Sequence, residues 1–134
     1  MPTIRLDSLK ILVAEDEPEV LQYYKVLLED LGYEVVTAKD GQKCLDAYRN
    51  DAGAKRGFDL VILDHKIPRK TGMEVANEIA AMSPSQKLLM VTAYAGVLDL
   101  TQKPENMIIM SKPFDPDELI ATIRRLTNEV VSYR

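Results

Sequence analysis

Five short apolar runs, separated by segments of helical period, are the feature that most constrains how this chain can fold. Several runs are rich in β-branched residues, and their apolar character is too continuous for strands with one solvated face. We therefore predict strands that are buried on both faces of a sheet. The five runs are LKILVA (9–14), EVVTA (34–38), FDLVIL (58–63), KLLMVT (87–92) and NMIIM (106–110).

The segments between these runs carry signals for the start and the end of helices. A first helix should have Pro18 in its opening turn and should end at Gly32, because these residue types favour those positions. In the segment 95–105, AGVLDLTQKPE, the weak apolar period and Pro104 predict a helix that is short or irregular. The remaining helices are predicted to begin after the N-cap residues Asp40, Thr71 and Asp115.

Strand and helix alternate along the whole chain, and this order predicts an α/β fold. Parallel strands joined by right-handed crossovers would place helices on both faces of the sheet. In sheets of this kind, functional groups collect at the carboxyl ends of the strands, where the connecting loops open a crevice. The strand ends are therefore where chemistry is expected.

Composition narrows the class of protein. The 134 residues and the apolar fraction of 46% are those of one globular domain. The formal net charge of −4 gives no attraction for nucleic acid or an anionic membrane, so direct DNA binding is not expected. No apolar stretch could cross a bilayer, and MPTIRLDSLK lacks the apolar core of a secretory signal, which predicts a soluble cytoplasmic protein. One cysteine, Cys44, and one histidine make neither an internal disulfide nor a zinc site.

Polar side chains stand at the ends of four of the predicted strands. Glu15 and Asp16 follow the first strand, Asp64 follows the third, Thr92 ends the fourth, and Lys112 follows the fifth. Taken singly, each has a structural explanation, because an acid or a Lys-Pro pair suits a turn and threonine suits a strand. Their agreement at one edge of a parallel sheet favours a joint site.

Clustered carboxylates need something that offsets their repulsion. Two carboxylates about 4 Å apart repel by about 4 kcal/mol at an effective dielectric constant of about 20. Raised pKa values could relieve this repulsion, but a set of hard oxygen ligands without a soft partner suits Mg²⁺. With that cation, Asp64 could attack phosphorus as a nucleophile, while Lys112 and the Thr92 hydroxyl neutralise the phosphoryl oxygens.

Four motifs in a set order carry a family resemblance: ILVAEDEP, FDLVILDHKIP, KLLMVTAY and MSKPF. Over these motifs, from about Lys10 to Arg125, the chain resembles the receiver domains of two-component response regulators. The resemblance implies a flavodoxin-like, doubly wound (βα)5 fold, with five parallel strands in the order 2-1-3-4-5. It also implies an N-terminal extension 1–8, a receiver domain 9–130 and a C-terminal tail 131–134.

A metal site is also implied by the resemblance. Mg²⁺ would be the cofactor, held directly by Asp16 and Asp64 and by the backbone carbonyl of Lys66. Glu15 stands where the family more often has Asp, and its longer side chain would act through water.

Asp64 is, by the same resemblance, the phosphoacceptor. Thr92 matches the switch hydroxyl, and Lys112 matches the phosphate-binding lysine, whose peptide bond to Pro113 is typically cis. The implied function is to take a phosphoryl group from a histidine kinase or a phosphotransfer protein and to signal by conformational change. Beyond its own phosphorylation and slow dephosphorylation, no enzymatic activity is expected. The downstream protein target and a phosphorylation-dependent dimer are left open.

Three departures from the family pattern concern how the domain switches. Ile109 occupies a position where the family often has Tyr or Phe, and an aliphatic side chain cannot reorient as the aromatic does. The chain between KLLMVTAY and MSKPF is short and contains Pro104, which predicts a shortened or loose fourth helix. Lys66 and Tyr94 flank the route of water to the phosphoryl group, and because both are bulky they predict slow self-dephosphorylation.

Three alternatives fit parts of the pattern. A phosphatase of the haloacid dehalogenase kind also has a nucleophilic Asp after an apolar strand, but it needs a second Asp where Lys66 stands. A pseudo-receiver would bind partners without phosphorylation; the complete set of acceptor residues argues against it, whereas Ile109 argues for a degenerate switch. A flavodoxin-like FMN protein would need a phosphate loop rich in glycine and hydroxyls, and the acidic EDEPEV would repel that cofactor.

Overall fold

The computed structural model describes residues 9–51, 57–101 and 103–127. The predicted extension 1–8 and tail 131–134 lie outside the described residues, so this part of the domain division remains a prediction. Within the described ranges, strands and helices alternate as the apolar runs predict.

Five parallel strands form one sheet in the order β2-β1-β3-β4-β5, which confirms the predicted topology. Each strand has five residues and lies within the apolar run that predicted it or one residue beyond it. Because the chain winds outward in both directions from β1, the carboxyl ends of β1 and β3 border a crevice. The strands are β1 Lys10–Ala14, β2 Glu34–Ala38, β3 Leu60–Asp64, β4 Leu88–Thr92 and β5 Met107–Ser111.

The α-helices begin where the sequence signals predict, and the first helix ends as Gly32 predicts. Pro18 is the first residue of the first helix, and Gly32, with a φ of 91°, takes the left-handed conformation just beyond that helix. The Asp40 side chain accepts a 2.7 Å hydrogen bond from the first turn of the next helix, and Thr71 forms the predicted capping box with Glu74. The helices are α1 Pro18–Asp30, α2 Gly41–Asn50, α3 Gly72–Met82 and α4 Pro116–Thr127. In the part of the chain that the structure describes, no helix has the length and apolar character that a membrane crossing requires.

The prediction that every strand is buried on both faces is wrong for β2 and β5. In β1, the four residues from Ile11 to Ala14 are at most 1% exposed. In β2, by contrast, only Ala38 is buried, and in β5 only Met107 and Met110 are buried. These two strands form the edges of the sheet, where one side has no neighbouring strand and the helices cover less of the surface.

The segment between β4 and β5 is the main departure from a (βα)5 fold. In place of a fourth crossover helix, the described part of this segment contains one 3₁₀ turn, η1 Ala95–Val97. Asp99 then accepts hydrogen bonds from the Thr101 N–H at 3.0 Å and from the Thr101 hydroxyl at 2.8 Å, a local turn that competes with helical hydrogen bonds. The prediction of a short or irregular element is confirmed, and the five-helix arrangement is corrected to four α-helices among the described residues.

Helices pack on both faces of the sheet and enclose two apolar clusters. The cluster under α2 and α3 includes Leu12 and Leu63, and the cluster under α1 and α4 includes Val13 and Ile62. Alternate residues of β1 and β3 therefore point to opposite faces, as the period of a strand requires. β1 and β3 are packed against apolar side chains on both faces of the sheet. This packed core fixes the positions of the residues that follow the two strands.

Candidate functional site

The parallel register brings the ends of four strands to one edge of the sheet. β1 and β3 pair in a register that makes Glu15 and Asp64, the residues at their ends, neighbours. Thr92 ends β4 beside Ser111, the last residue of β5. The N–H of Lys112 then donates a 2.9 Å hydrogen bond to the Thr92 carbonyl. Residues far apart in sequence thus meet because they follow adjacent strands.

Three carboxylates form an acidic cluster at this edge. One oxygen each from Glu15, Asp16 and Asp64 can lie within 4.8 Å of the other two. Glu15 is fully buried, the Asp64 side chain is 13% exposed, and Asp16 is exposed. Carboxylate oxygens at this spacing are hard ligands that suit a divalent cation such as Mg²⁺. The structure brings together the three acids for which the sequence predicted a metal site.

The Lys112 ammonium lies against this cluster. Its Nζ is 3.2 Å from Oδ2 of Asp64 and 3.5 Å from Oε1 of Glu15. Burial lowers the pKa of Lys112, but the charges of Asp64 and Glu15 outweigh burial, so the pKa is raised. Lys112 is therefore a fixed positive charge at neutral pH. Its peptide bond to Pro113 is cis, as the family resemblance implies.

Glu15 is an acid whose ionisation is strongly perturbed. Burial raises the pKa of Glu15 to about 7, and the charge of Asp64 adds to the rise. The Glu17 N–H, which donates to Oε2 at 3.1 Å, and the Lys112 charge act in the opposite direction. A divalent cation on the cluster would favour the ionised form, because its charge offsets both burial and the repulsion from Asp64. The donor set and the electrostatics of the cluster fit Mg²⁺.

Thr92 supplies a buried hydroxyl at the end of β4, the strand that pairs with β3. The residue is 1% exposed and follows Val91, the β4 partner of Asp64. Its Oγ1 accepts a 3.0 Å hydrogen bond from the backbone N–H of Tyr94. Because the hydroxyl accepts this bond, its own proton remains available for a group carried by Asp64.

The sequence pattern identified Lys66 and Tyr94 as residues of the site, but it did not predict the contact between them. The Lys66 Nζ lies 4.5 Å from the centroid of the Tyr94 ring, within the range of a cation–π interaction. The available signal was their spacing, because each residue comes two positions after the last residue of a strand, Asp64 or Thr92. Whether the two side chains touch depends on the conformation of the two loops. The role predicted for the Lys66 backbone carbonyl stays a prediction.

Gly72 is a site residue that the sequence pattern did not identify. It begins α3, and a Cβ at this position would lie 2.6 Å from the Asp64 carbonyl oxygen and 2.8 Å from the His65 Cα. The Gly72 N–H also donates a 2.9 Å hydrogen bond to the His65 carbonyl. The first residue of α3 thus packs against the backbone of Asp64 and His65 and fixes its position. A glycine directly after the N-cap residue Thr71 was the available signal.

Comparison with known families matches residues 11–124 to the response regulator receiver domain. The chain is 31% identical over 121 residues to the alkaline phosphatase synthesis transcriptional regulatory protein PhoP of Bacillus subtilis, covering 87% of this chain and 48% of PhoP. It is 36% identical over 127 residues to the uncharacterized transcriptional regulatory protein YrkP of Bacillus subtilis, covering 88% of this chain and 51% of YrkP. The chain spans about a quarter to about half of the length of the curated relatives that it matches.

Solved structures of receiver domains share this fold. The response regulator protein TrrA from Thermotoga maritima, solved in complex with Mg²⁺-BeF, is 34% identical with a TM-score of 0.77, over 88% of this chain and 98% of TrrA. A response regulator receiver domain protein from Clostridium thermocellum is 28% identical with a TM-score of 0.79, over 90% of this chain and 94% of that protein. With the sheet order in agreement and the family match covering residues 11–124, the chain belongs to the response regulator receiver domain family.

Proposed function

We propose that this chain is a phosphoacceptor module whose Asp64 takes a phosphoryl group from a histidine kinase or a phosphotransfer protein. One observation carries the proposal: Asp64 lies partly open at the carboxyl end of β3, and the Lys112 ammonium is 3.2 Å from its Oδ2. A carboxylate that faces a fixed positive charge can act as a nucleophile toward phosphorus. Membership of the receiver family supports the same assignment.

The transfer is a displacement at phosphorus. An oxygen of the Asp64 carboxylate forms a bond to phosphorus, while the bond from phosphorus to the imidazole nitrogen of the donor breaks. The electron pair of that bond stays on the imidazole nitrogen. Charge spreads over the three phosphoryl oxygens in the transition state, where the Lys112 ammonium and the Thr92 hydroxyl stabilise it.

We assign the acidic cluster to Mg²⁺. Asp16 and Asp64 would bind it directly, together with the backbone carbonyl of Lys66, and Glu15 would act through water. When bound, the ion supplies positive charge that neutralises the phosphoryl oxygens. The spacing of the three acids within 4.8 Å supports this assignment, as does the complex of TrrA with Mg²⁺-BeF.

The proposed output is a conformational change rather than a reaction on a separate substrate. Hydrolysis would return Asp64 to a carboxylate when a water oxygen attacks phosphorus and the bond from phosphorus to the Asp64 oxygen breaks. Curated relatives are named as transcriptional regulators and are longer than this chain. We propose that residues 9–130 form the receiver domain that acts on an output domain or partner protein, without contacting nucleic acid itself.

Mass spectrometry of the intact protein tests the proposal. After incubation with acetyl phosphate and Mg²⁺, the wild-type chain should gain one phosphoryl group, and the Asp64→Asn variant should gain none. Asp46→Asn is the matched control, because Asp46 is exposed on α2 and bonds only to Gln42 among the described residues. This control should be phosphorylated like the wild type. Chelation of Mg²⁺ should abolish phosphorylation of the wild type and of Asp46→Asn.

A pseudo-receiver is the alternative that the segment after β4 favours. The 3₁₀ turn η1 replaces a helix there, and the aliphatic Ile109 packs against the core. If the wild-type chain gains no phosphoryl group while remaining folded, the interaction module without phosphorylation becomes the better description. An equal gain in the wild type and in Asp64→Asn would contradict the assignment of the acceptor.

A further inference from the structure

Lys66 and Tyr94 join two loops at the mouth of the site. Asp64 ends β3 and Thr92 ends β4, and these strands are paired neighbours in the sheet. Lys66 lies in the loop after Asp64, and Tyr94 lies in the loop after Thr92. The contact between the Lys66 Nζ and the Tyr94 ring, with 4.5 Å from the Nζ to the ring centroid, therefore connects the two loops.

The contact between Lys66 and Tyr94 is weak enough for a phosphoryl group on Asp64 to replace it. Lys66 is exposed and Tyr94 is 45% exposed, so their cation–π contact is accessible to solvent, where such contacts are weak. A phosphoryl group on Asp64 would place dianionic oxygens beside the loop that carries Lys66. Charge-assisted hydrogen bonds from an ammonium to such oxygens are stronger than an exposed contact with a ring. The ammonium therefore has a better acceptor only when Asp64 is phosphorylated.

Tyr94 connects this contact to the segment that follows β4. Its backbone N–H is held by the Thr92 Oγ1 at 3.0 Å, and its carbonyl accepts a 3.0 Å hydrogen bond from the Val97 N–H, which closes η1. Val97, the last residue of η1, is 81% exposed, and Leu100, which follows η1, is 45% exposed, so part of this segment is an apolar surface. The Tyr94 ring is thus the point at which Lys66 restrains the base of an exposed apolar segment.

We propose that the contact between Lys66 and Tyr94 is a clasp that opens when Asp64 is phosphorylated. The Lys66 ammonium leaves the ring and binds a phosphoryl oxygen, which makes Lys66 a second phosphoryl-binding lysine besides Lys112. The ring of Tyr94 is released, and η1 loses a restraint at its first turn. No covalent bond changes in this step. The inference rests on the proposed phosphorylation of Asp64 and adds the route by which the segment 94–100 senses it.

Hydrogen exchange of the Val97 amide, measured by NMR, tests the clasp. With Mg²⁺ present throughout, addition of acetyl phosphate should raise the exchange rate of this amide in the wild type by about two- to five-fold, the factor that an exposed cation–π contact corresponds to. In Lys66→Met, which keeps the length of the side chain without the charge, the exchange should already be fast and should not rise further. Tyr94→Leu should behave like Lys66→Met, because it removes the other half of the clasp.

Lys70→Met is the matched control, since Lys70 lies in the same loop but pairs with Glu78 at 2.7 Å. It should respond to phosphorylation like the wild type. Intact mass, recorded on the same samples, separates the two proposals. A phosphoryl gain without any change at Val97, or with the same change in Lys66→Met as in the wild type, would overturn the clasp and leave the phosphoacceptor function standing. Absence of the phosphoryl gain in the wild type would overturn both.

Discussion

At the scale of single residues, the buried carboxyl of Glu15 determines how the site responds to pH. Burial raises its pKa from 4.5 to about 7, and Asp64 adds to this rise. A carboxyl whose pKa is raised on folding binds its proton more tightly in the folded state than in the unfolded state. Its contribution to stability is therefore fully present below pH 4.5 and is lost as the pH rises through about 7.

Replacement of Glu15 by glutamine should remove this pH dependence. In buffer without Mg²⁺, the wild-type free energy of unfolding should fall relative to that of Glu15→Gln between pH 4.5 and pH 8, by on the order of 3 kcal/mol. Chemical denaturation of both proteins across this range measures the difference. A difference that does not vary with pH would contradict the assignment of a raised pKa to Glu15.

Lys66 and Tyr94 should also set the lifetime of the phosphorylated state. In the phosphorylated state, Lys66 would bind a phosphoryl oxygen, and the bulky Tyr94 side chain would obstruct the approach of water to the phosphoryl group. We expect the double variant Lys66→Asn, Tyr94→Ala to lose its phosphoryl group several times faster than the wild type after the donor is removed. Loss of the adduct can be followed by intact mass. A wild-type half-life no longer than that of the double variant would remove this explanation.

At the scale of elements, the start of α3 and the end of β3 form one unit. Gly72 approaches the backbone of Asp64 and His65 so closely that a methyl group cannot be placed without movement of backbone atoms. The capping box of Thr71 and Glu74 fixes the first turn of α3 at the same place. The position of Asp64 therefore depends on the packing of a helix, and not only on its own strand.

A methyl group at position 72 should disturb both stability and phosphorylation. We expect Gly72→Ala to lower the free energy of unfolding by about 1 to 3 kcal/mol, because the added methyl group would push against the backbone of Asp64 and His65 and displace it. Its phosphorylation by acetyl phosphate should also be slower. Gly57→Ala is the control, because a Cβ there meets nothing within 4 Å. Denaturation and intact mass measure the two effects, and equal behaviour of both variants would show that the close approach has no influence on the site.

Most of the elements could be predicted because their signals are local. Apolar runs marked the strands, and cap residues such as Asp40 and Thr71 marked the helix starts. The exposure of β2 and β5 could not be predicted, because it depends on which strands lie at the edges of the sheet. The contact between Lys66 and Tyr94 could not be predicted either, since it depends on how two loops are folded. The approach of Gly72 to Asp64 likewise depends on tertiary packing.

At the scale of the whole molecule, the doubly wound sheet is what makes a site from distant residues. The order β2-β1-β3-β4-β5 sets β1, β3, β4 and β5 side by side, with their carboxyl ends at one edge. Glu15, Asp64 and Lys112 meet there, although 97 positions separate the first from the last. The chain spans about a quarter to about half of its curated relatives, so this unit corresponds to the receiver part of longer proteins.

The most direct test of the account is to locate the phosphoryl group chemically. Borohydride reduces an acyl phosphate of aspartate to homoserine, so the modified position can be read by peptide sequencing after treatment with acetyl phosphate and Mg²⁺. We expect homoserine at position 64, and unmodified acids at Glu15 and Asp16. Homoserine at another position, or a wild-type protein that yields none, would contradict the central claim that Asp64 is the phosphoacceptor.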